Sequence, residues 1–107
     1  MFARILEFVP KAEKKEELIN VVRNEILPIL KKQNGFLEVL PFTPEMKNEK
    51  YVFISLWTEK RHSEAYAREW FPRVEQIIKP YITTPITYNN YAVETALCEH
   101  FEKAMVA

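Results

Sequence analysis

The stretch Tyr51-Val-Phe-Ile-Ser-Leu-Trp57 is apolar on both of its alternating sides. As a β-strand it carries Tyr51, Phe53, Ser55 and Trp57 on one face and Val52, Ile54 and Leu56 on the other. A strand with one side in water alternates apolar with polar residues, so this one needs a cover on each face. The rest of the chain has to supply both covers. Directly after it, Thr58-Glu-Lys-Arg-His-Ser-Glu-Ala-Tyr66 reads as the start of a helix.

Taken in order, Phe2–Val9 is rich in β-branched and aromatic residues and is stopped by Pro10, which makes it strand one. A charged run, Lys11–Glu17, leads into a helical stripe of Leu18, Val21, Val22, Ile26, Ile29 and Leu30. Spacings of three and four put that stripe on one face. Pro28 cannot donate to the carbonyl of Asn24 and predicts a kink. Asn34-Gly35 ends the helix, with Gly35 as a left-handed cap. Strand two is Phe36–Phe42, and Pro41 places it near a sheet edge. The polar run Thr43–Lys50 forms a hairpin into the strand over 51–57. The second helix breaks near Trp70-Phe71 and restarts over Pro72–Lys79, and Ile86–Val93 is strand four.

The order βαββαβ places both helices on one face of a four-stranded antiparallel sheet, an α+β fold of ferredoxin-like arrangement. Residues 1–107 are read as a single domain. The helices cover one face only. The other is also apolar, and the economical cover for it is a second copy, sheet against sheet about a two-fold axis, giving a homodimer. In the tail, 96–107, Leu97, Phe101 and Met105 recur in steps of four. That spacing predicts a short amphipathic helix that closes one end of the monomer or lies on the partner.

Fifteen basic and fifteen acidic residues cancel, which leaves no electrostatic hold on nucleic acid or an anionic membrane. No stretch approaches the roughly 20 apolar residues of a membrane span. The single cysteine, Cys98, cannot form an intrachain disulfide and fits a reducing cytoplasm. With one glycine in the chain, a glycine-rich phosphate loop cannot be built.

Candidate chemistry is sparse. Trp57, Tyr66 and Trp70, with Phe53 and Phe71, form an aromatic group at the end of strand three and along helix two. They are either core or the walls of a sheet–helix cavity for a flat organic ligand. Arg4 and Glu7 bring charge into strand one, and Tyr88, Asn89, Asn90 and Tyr91 bring hydroxyl and amide groups on strand four. His62 is either a solvated residue or a general base. Cys98, Glu99 and His100 point in different directions on a helix, so no metal site is expected there. Neither Ser55 nor Ser63 has the glycine-flanked elbow of a hydrolase nucleophile.

Ile54-Ser-Leu-Trp57, Glu64-Ala-Tyr66, Phe71-Pro72 and the Asn34-Gly35-Phe36 junction resemble the signature of the antibiotic-biosynthesis-monooxygenase-like dimeric α/β-barrel superfamily, over roughly residues 2 to 95. The resemblance implies a sheet-to-sheet homodimer with a pocket between sheet and helices in each subunit. It also implies oxygenation of aromatic polyketides or quinols without metal or flavin, or haem degradation. Haem-degrading members carry an asparagine on strand one and a Trp–His pair ten apart on helix two. This chain has neither, since Ala67 follows Trp57 by ten and Pro80 follows Trp70 by ten. Under the resemblance Arg4, His62 and Tyr66 are the candidate catalytic residues, and Phe53, Trp57, Tyr66 and Trp70 the substrate walls, with no cofactor. The alternative is a non-catalytic dimer that binds a small molecule as sensor or carrier. RNA-recognition domains share the strand order, and Phe2, Tyr51 and Phe53 imitate their stacking aromatics. The glycines of that motif and its basic surplus are missing.

Overall fold

Strand β3 (Tyr51–Trp57) pairs on both sides, with β1 (Phe2–Phe8) and with β2 (Phe36–Phe42). The fourth strand, β4 (Thr87–Ala92), lies on the far side of β1, so the sheet order is β2-β3-β1-β4 and every pairing is antiparallel. The structure is a computed structural model that describes residues 1–47 and 49–98. Two layers result: a ferredoxin-like sheet with its helices on one face, as the strand order requires.

The first crossover contains α1 (Lys15–Val21) and α2 (Leu27–Lys31), joined by a π-helical turn over Val22–Ile26. The irregularity predicted at Pro28 takes this form. Just ahead of the proline, the Leu27 N–H reaches back five residues to the Val22 carbonyl. The second crossover contains α3 (Lys60–Glu69) and α4 (Phe71–Ile78), broken at Trp70 and restarted with Pro72 in the first turn. Proline at β2 sits on an edge strand, where its missing N–H costs no ladder bond. Beyond β4 a short 3-10 turn covers Thr95–Leu97, and most of the predicted tail helix lies outside the described residues. Among the described residues no helix is long and apolar enough to cross a membrane.

Strand register sorts the side chains. Phe2 lies opposite Trp57, Leu6 opposite Phe53 and Phe8 opposite Tyr51, all facing the helices. There they meet Leu18, Ile26, Leu30, Tyr66, Phe71, Val74 and Ile78 to make the core. The other face carries Ile5, Val52, Ile54, Leu40, Phe42 and Tyr91, of which Phe42 is 50% and Tyr91 55% exposed.

Gly35 closes the turn between α2 and β2 at φ +77°, the left-handed conformation that side chains resist. Its carbonyl accepts the Thr58 N–H at 2.8 Å, tying the start of β2 to the end of β3. A methyl group at this position would run into the His62 ring. Gly35→Ala should therefore lower stability in urea by roughly 2 kcal/mol or more. Adding His62→Ala should return part of that loss by removing the collision, but not the part due to φ. Equal stabilities of wild type and Gly35→Ala would show the turn to be unstrained.

Candidate functional site

Alternation along β1 sends Arg4 into the helix-facing side together with Phe2, Leu6 and Phe8. A charged residue on a core face is unusual, and here it is 3% exposed. Its guanidinium carbon lies 4.5 Å from the ring centroid of Phe71 and 4.5 Å from that of Tyr88. Both contacts have cation–π geometry. The Arg4 Nε is buried and has no hydrogen-bond partner among the described residues. Burial pushes the guanidinium pKa down, while nearby Tyr66, Tyr88 and Glu75 hold it up. An arginine stays protonated under all ordinary conditions, so a cation is held in a largely apolar layer.

Opposite Arg4 on β3 stands Ser55. Its hydroxyl donates to the Arg4 carbonyl at 3.3 Å and accepts from the Trp57 indole N–H at 3.0 Å. Trp57 is 0% exposed and packs against Phe36 and Tyr66, with centroids 5.5 and 5.3 Å away. Tyr66 comes from α3 and reaches Phe71 on its other side. Burial pushes the Tyr66 phenol up to about 12, with Arg4 opposing. At neutral pH it is a proton donor.

Arg4, Leu6, Leu30, Val39, Phe53, Ser55 and Tyr66 enclose a cavity between sheet and helices of about 30 Å³. That is room for one water, whereas a flat organic ligand needs a site of roughly 300 Å³ or more. The cavity lies between sheet and helices but is small, with Leu30 and Tyr66 reaching it from the helices. Of the residues named from sequence, Arg4, Phe53 and Tyr66 line it. Trp57 stands behind it, sealed from water. Trp70 instead lines an outer groove between the helix pairs, with Ile29, Gln33 and Arg73. His62 packs against Gly35, with its Nε2 3.3 Å from Glu59, and does not line the cavity. Asn89 and Tyr91 face the opposite side of the sheet, while Tyr88 faces the helices.

The part Ser55 plays is structural, joining Trp57 to β1, and it needs the β1–β3 register to be seen. Leu6, Leu30 and Val39 carry no chemical signal that sequence could show. A larger depression of about 610 Å³ is an open groove between α4 and residues 82–86, lined among others by Pro72, Glu75, Lys79 and Ile86. Among the described residues no group of three or more His, Cys, Asp or Glu converges, and His100 lies outside them.

A family model described as antibiotic biosynthesis monooxygenase matches residues 1–77. The chain belongs to that family. No curated protein sequence matches it. Solved structures of similar fold include a variant of SnoaB, a cofactor-independent oxygenase from Streptomyces nogalater, at TM-score 0.73 and 18% identity, covering 92% of this chain and 97% of that one. A monooxygenase-family protein from Bordetella bronchiseptica gives 0.72 at 12% identity, covering 86% and 95%. A protein of unknown function from Nitrosomonas europaea gives 0.70 at 8% identity, covering 87% and 88%. At these identities the likeness speaks for the fold.

The elevated Tyr66 pKa has a direction that can be checked. Its folded value, about 12, lies above the ordinary 10.0. The unfolded chain therefore loses this proton first, and stability present below pH 10 should fall between pH 10 and 12. The fall attributable to Tyr66 is up to roughly 3 kcal/mol. In Tyr66→Phe that component should be missing from denaturation midpoints measured across the same window. An identical pH profile in both proteins would mean that Tyr66 titrates normally.

Proposed function

We propose that this chain is a homodimeric, cofactor-independent oxygenase of flat, electron-rich aromatic compounds of the quinol type. The observation that carries the reading is the buried Arg4, whose Nε has no partner among the described residues, beside a protonated Tyr66 in the layer between sheet and helices. Family membership and the likeness in fold to an oxygenase of that description support it.

Such chemistry asks for an anion and for dryness. A substrate whose ring C–H₂ or O–H is acidic loses a proton, and the resulting anion gives one electron to O₂. The radical pair combines to a peroxide, which loses water to leave a carbonyl. One oxygen atom ends in the product and the other in water. The guanidinium of Arg4 would favour the anion by direct charge pairing in an apolar layer. Tyr66 would donate to the same oxygen or to the forming peroxide. The cavity lining contains neither imidazole nor carboxylate, so the first proton passes to solvent, helped by the fall in the substrate's pKa next to a cation.

The outer sheet face supports the dimer. Leu40, Phe42 and Tyr91 are exposed beside half-buried Val52 and Ile54, an apolar surface that a second copy would cover about a two-fold axis. One cysteine and no disulfide fit the cytosol. A closed cavity without a base also favours a second reading, a dimer that binds an aromatic ligand and performs no chemistry.

Oxygen uptake decides between the two. With an anthrone-type tricycle under air, the enzyme should consume one O₂ per substrate. Arg4→Met should lower kcat/KM by about 100-fold and Tyr66→Phe by about tenfold. Ligand binding with no oxygen consumed would leave only the binder. Sedimentation equilibrium at micromolar concentration should give a dimer, converted to monomer by Phe42→Glu. A well-folded wild-type monomer would remove the proposed assembly.

A further inference from the structure

Arg4 is buried yet has no carboxylate within ion-pair distance among the described residues. What meets its charge instead is two aromatic rings, Phe71 and Tyr88, each 4.5 Å from the guanidinium carbon. Those rings are 5.6 Å from one another and nearly perpendicular, at 75°. A triangle with sides of 4.5, 4.5 and 5.6 Å sets them side by side, not on opposite faces of the cation. The guanidinium is therefore flanked rather than sandwiched, and its Nε still lacks an acceptor.

The two rings differ in how firmly they are held. Phe71 begins α4, is buried, and packs into the core against Tyr66. Tyr88 is 52% exposed and stands on β4, an edge strand exposed along its whole length. The larger helix–strand contacts fall on β1, β2 and β3, while α4 reaches β4 through Phe71 and Tyr88. One cover of the cation is fixed by the core; the other is a half-exposed side chain on an edge strand, whose outward rotation would uncover only Arg4 and the edge of Phe71.

We infer that Arg4 and Phe71 form the binding site for a planar aromatic monoanion, which reaches them over β4 by displacing the ring of Tyr88. The ligand ring then takes the place of the Tyr88 ring against the guanidinium, and its carboxylate or phenolate oxygen supplies the missing acceptor to Nε. One guanidinium neutralises one charge, so a phosphate dianion would leave excess charge in an apolar layer. The wide groove along α4 carries both Glu75 and Lys79, whose charges cancel, and so offers an anion no net attraction. This inference rests on the oxygenase reading for the purpose of the site, and adds to it the charge of the substrate and its route.

The test uses two probes of equal shape, 2-naphthoate and its neutral amide, with affinity by calorimetry and association rate by stopped-flow naphthoate fluorescence. Wild type should bind the naphthoate at least about tenfold more tightly than the amide, as a charge-assisted bond to Nε requires. Arg4→Met should reduce that preference to less than about twofold. Tyr88→Ala should keep the preference and raise the association rate constant by about tenfold or more, with Tyr88→Phe behaving as wild type. Failure of wild type to bind naphthoate, equal affinity for both probes, a preference that survives Arg4→Met, or an association rate unchanged in Tyr88→Ala would each overturn the proposal. Should Arg4→Met not fold, Tyr88→Ala on the exposed strand still decides. Nothing turns over in these measurements. Anion preference without oxygen uptake would keep the site and end the oxygenase reading; oxygen uptake without anion preference would do the reverse.

Discussion

Trp57 is wholly withdrawn from water, and its indole N–H must therefore find an acceptor inside the protein. It finds the hydroxyl of Ser55, two residues back on the same face of β3, and that hydroxyl donates in turn to the backbone of β1 at Arg4. Much of the structure depends on this short chain of bonds. It fixes the β1–β3 register at the residue that carries the buried charge. The indole itself holds β2 through Phe36 and α3 through Tyr66. A one-residue slip of β1 would turn Arg4 outward and bring Ile5 into its place.

The same arrangement explains how a cation survives in the layer. Desolvating a guanidinium is costly, and no carboxylate offsets it among the described residues. The faces of Phe71 and Tyr88 recover part of the cost, and the Nε donor has no acceptor among the described residues. The small volume beside Arg4 follows from the same packing, since Leu30 and Tyr66 reach it from the helices.

The ferredoxin-like fold was legible because its signals are local and periodic. The stripe from Leu18 to Leu30, the break before Pro72 and the cap at Gly35 each announce a helix boundary or face within a few residues. The edge position of β2 could be read from Pro41, since proline has no N–H to give a neighbour. The site was legible only in part. Arg4, Phe53 and Tyr66 do meet, but Trp70 and His62, equally plausible by residue type, lie elsewhere. A helix turns 100° per residue, so whether a side chain faces the sheet, a neighbouring helix or a loop depends on where the helix axis comes to rest.

The chain's own pattern of apolar and polar residues determined the elements, their order and the need to cover β3 on both faces, because burial of apolar area depends on spacing that can be counted along the sequence. Only the tertiary structure decided that Arg4 would stand beside Phe71 and Tyr88, with no carboxylate in ion-pair range among the described residues, on the wall of a cavity of about 30 Å³. Those facts are set by distances between residues far apart in the chain, and side-chain packing resolves such distances only after strand register and helix placement are settled.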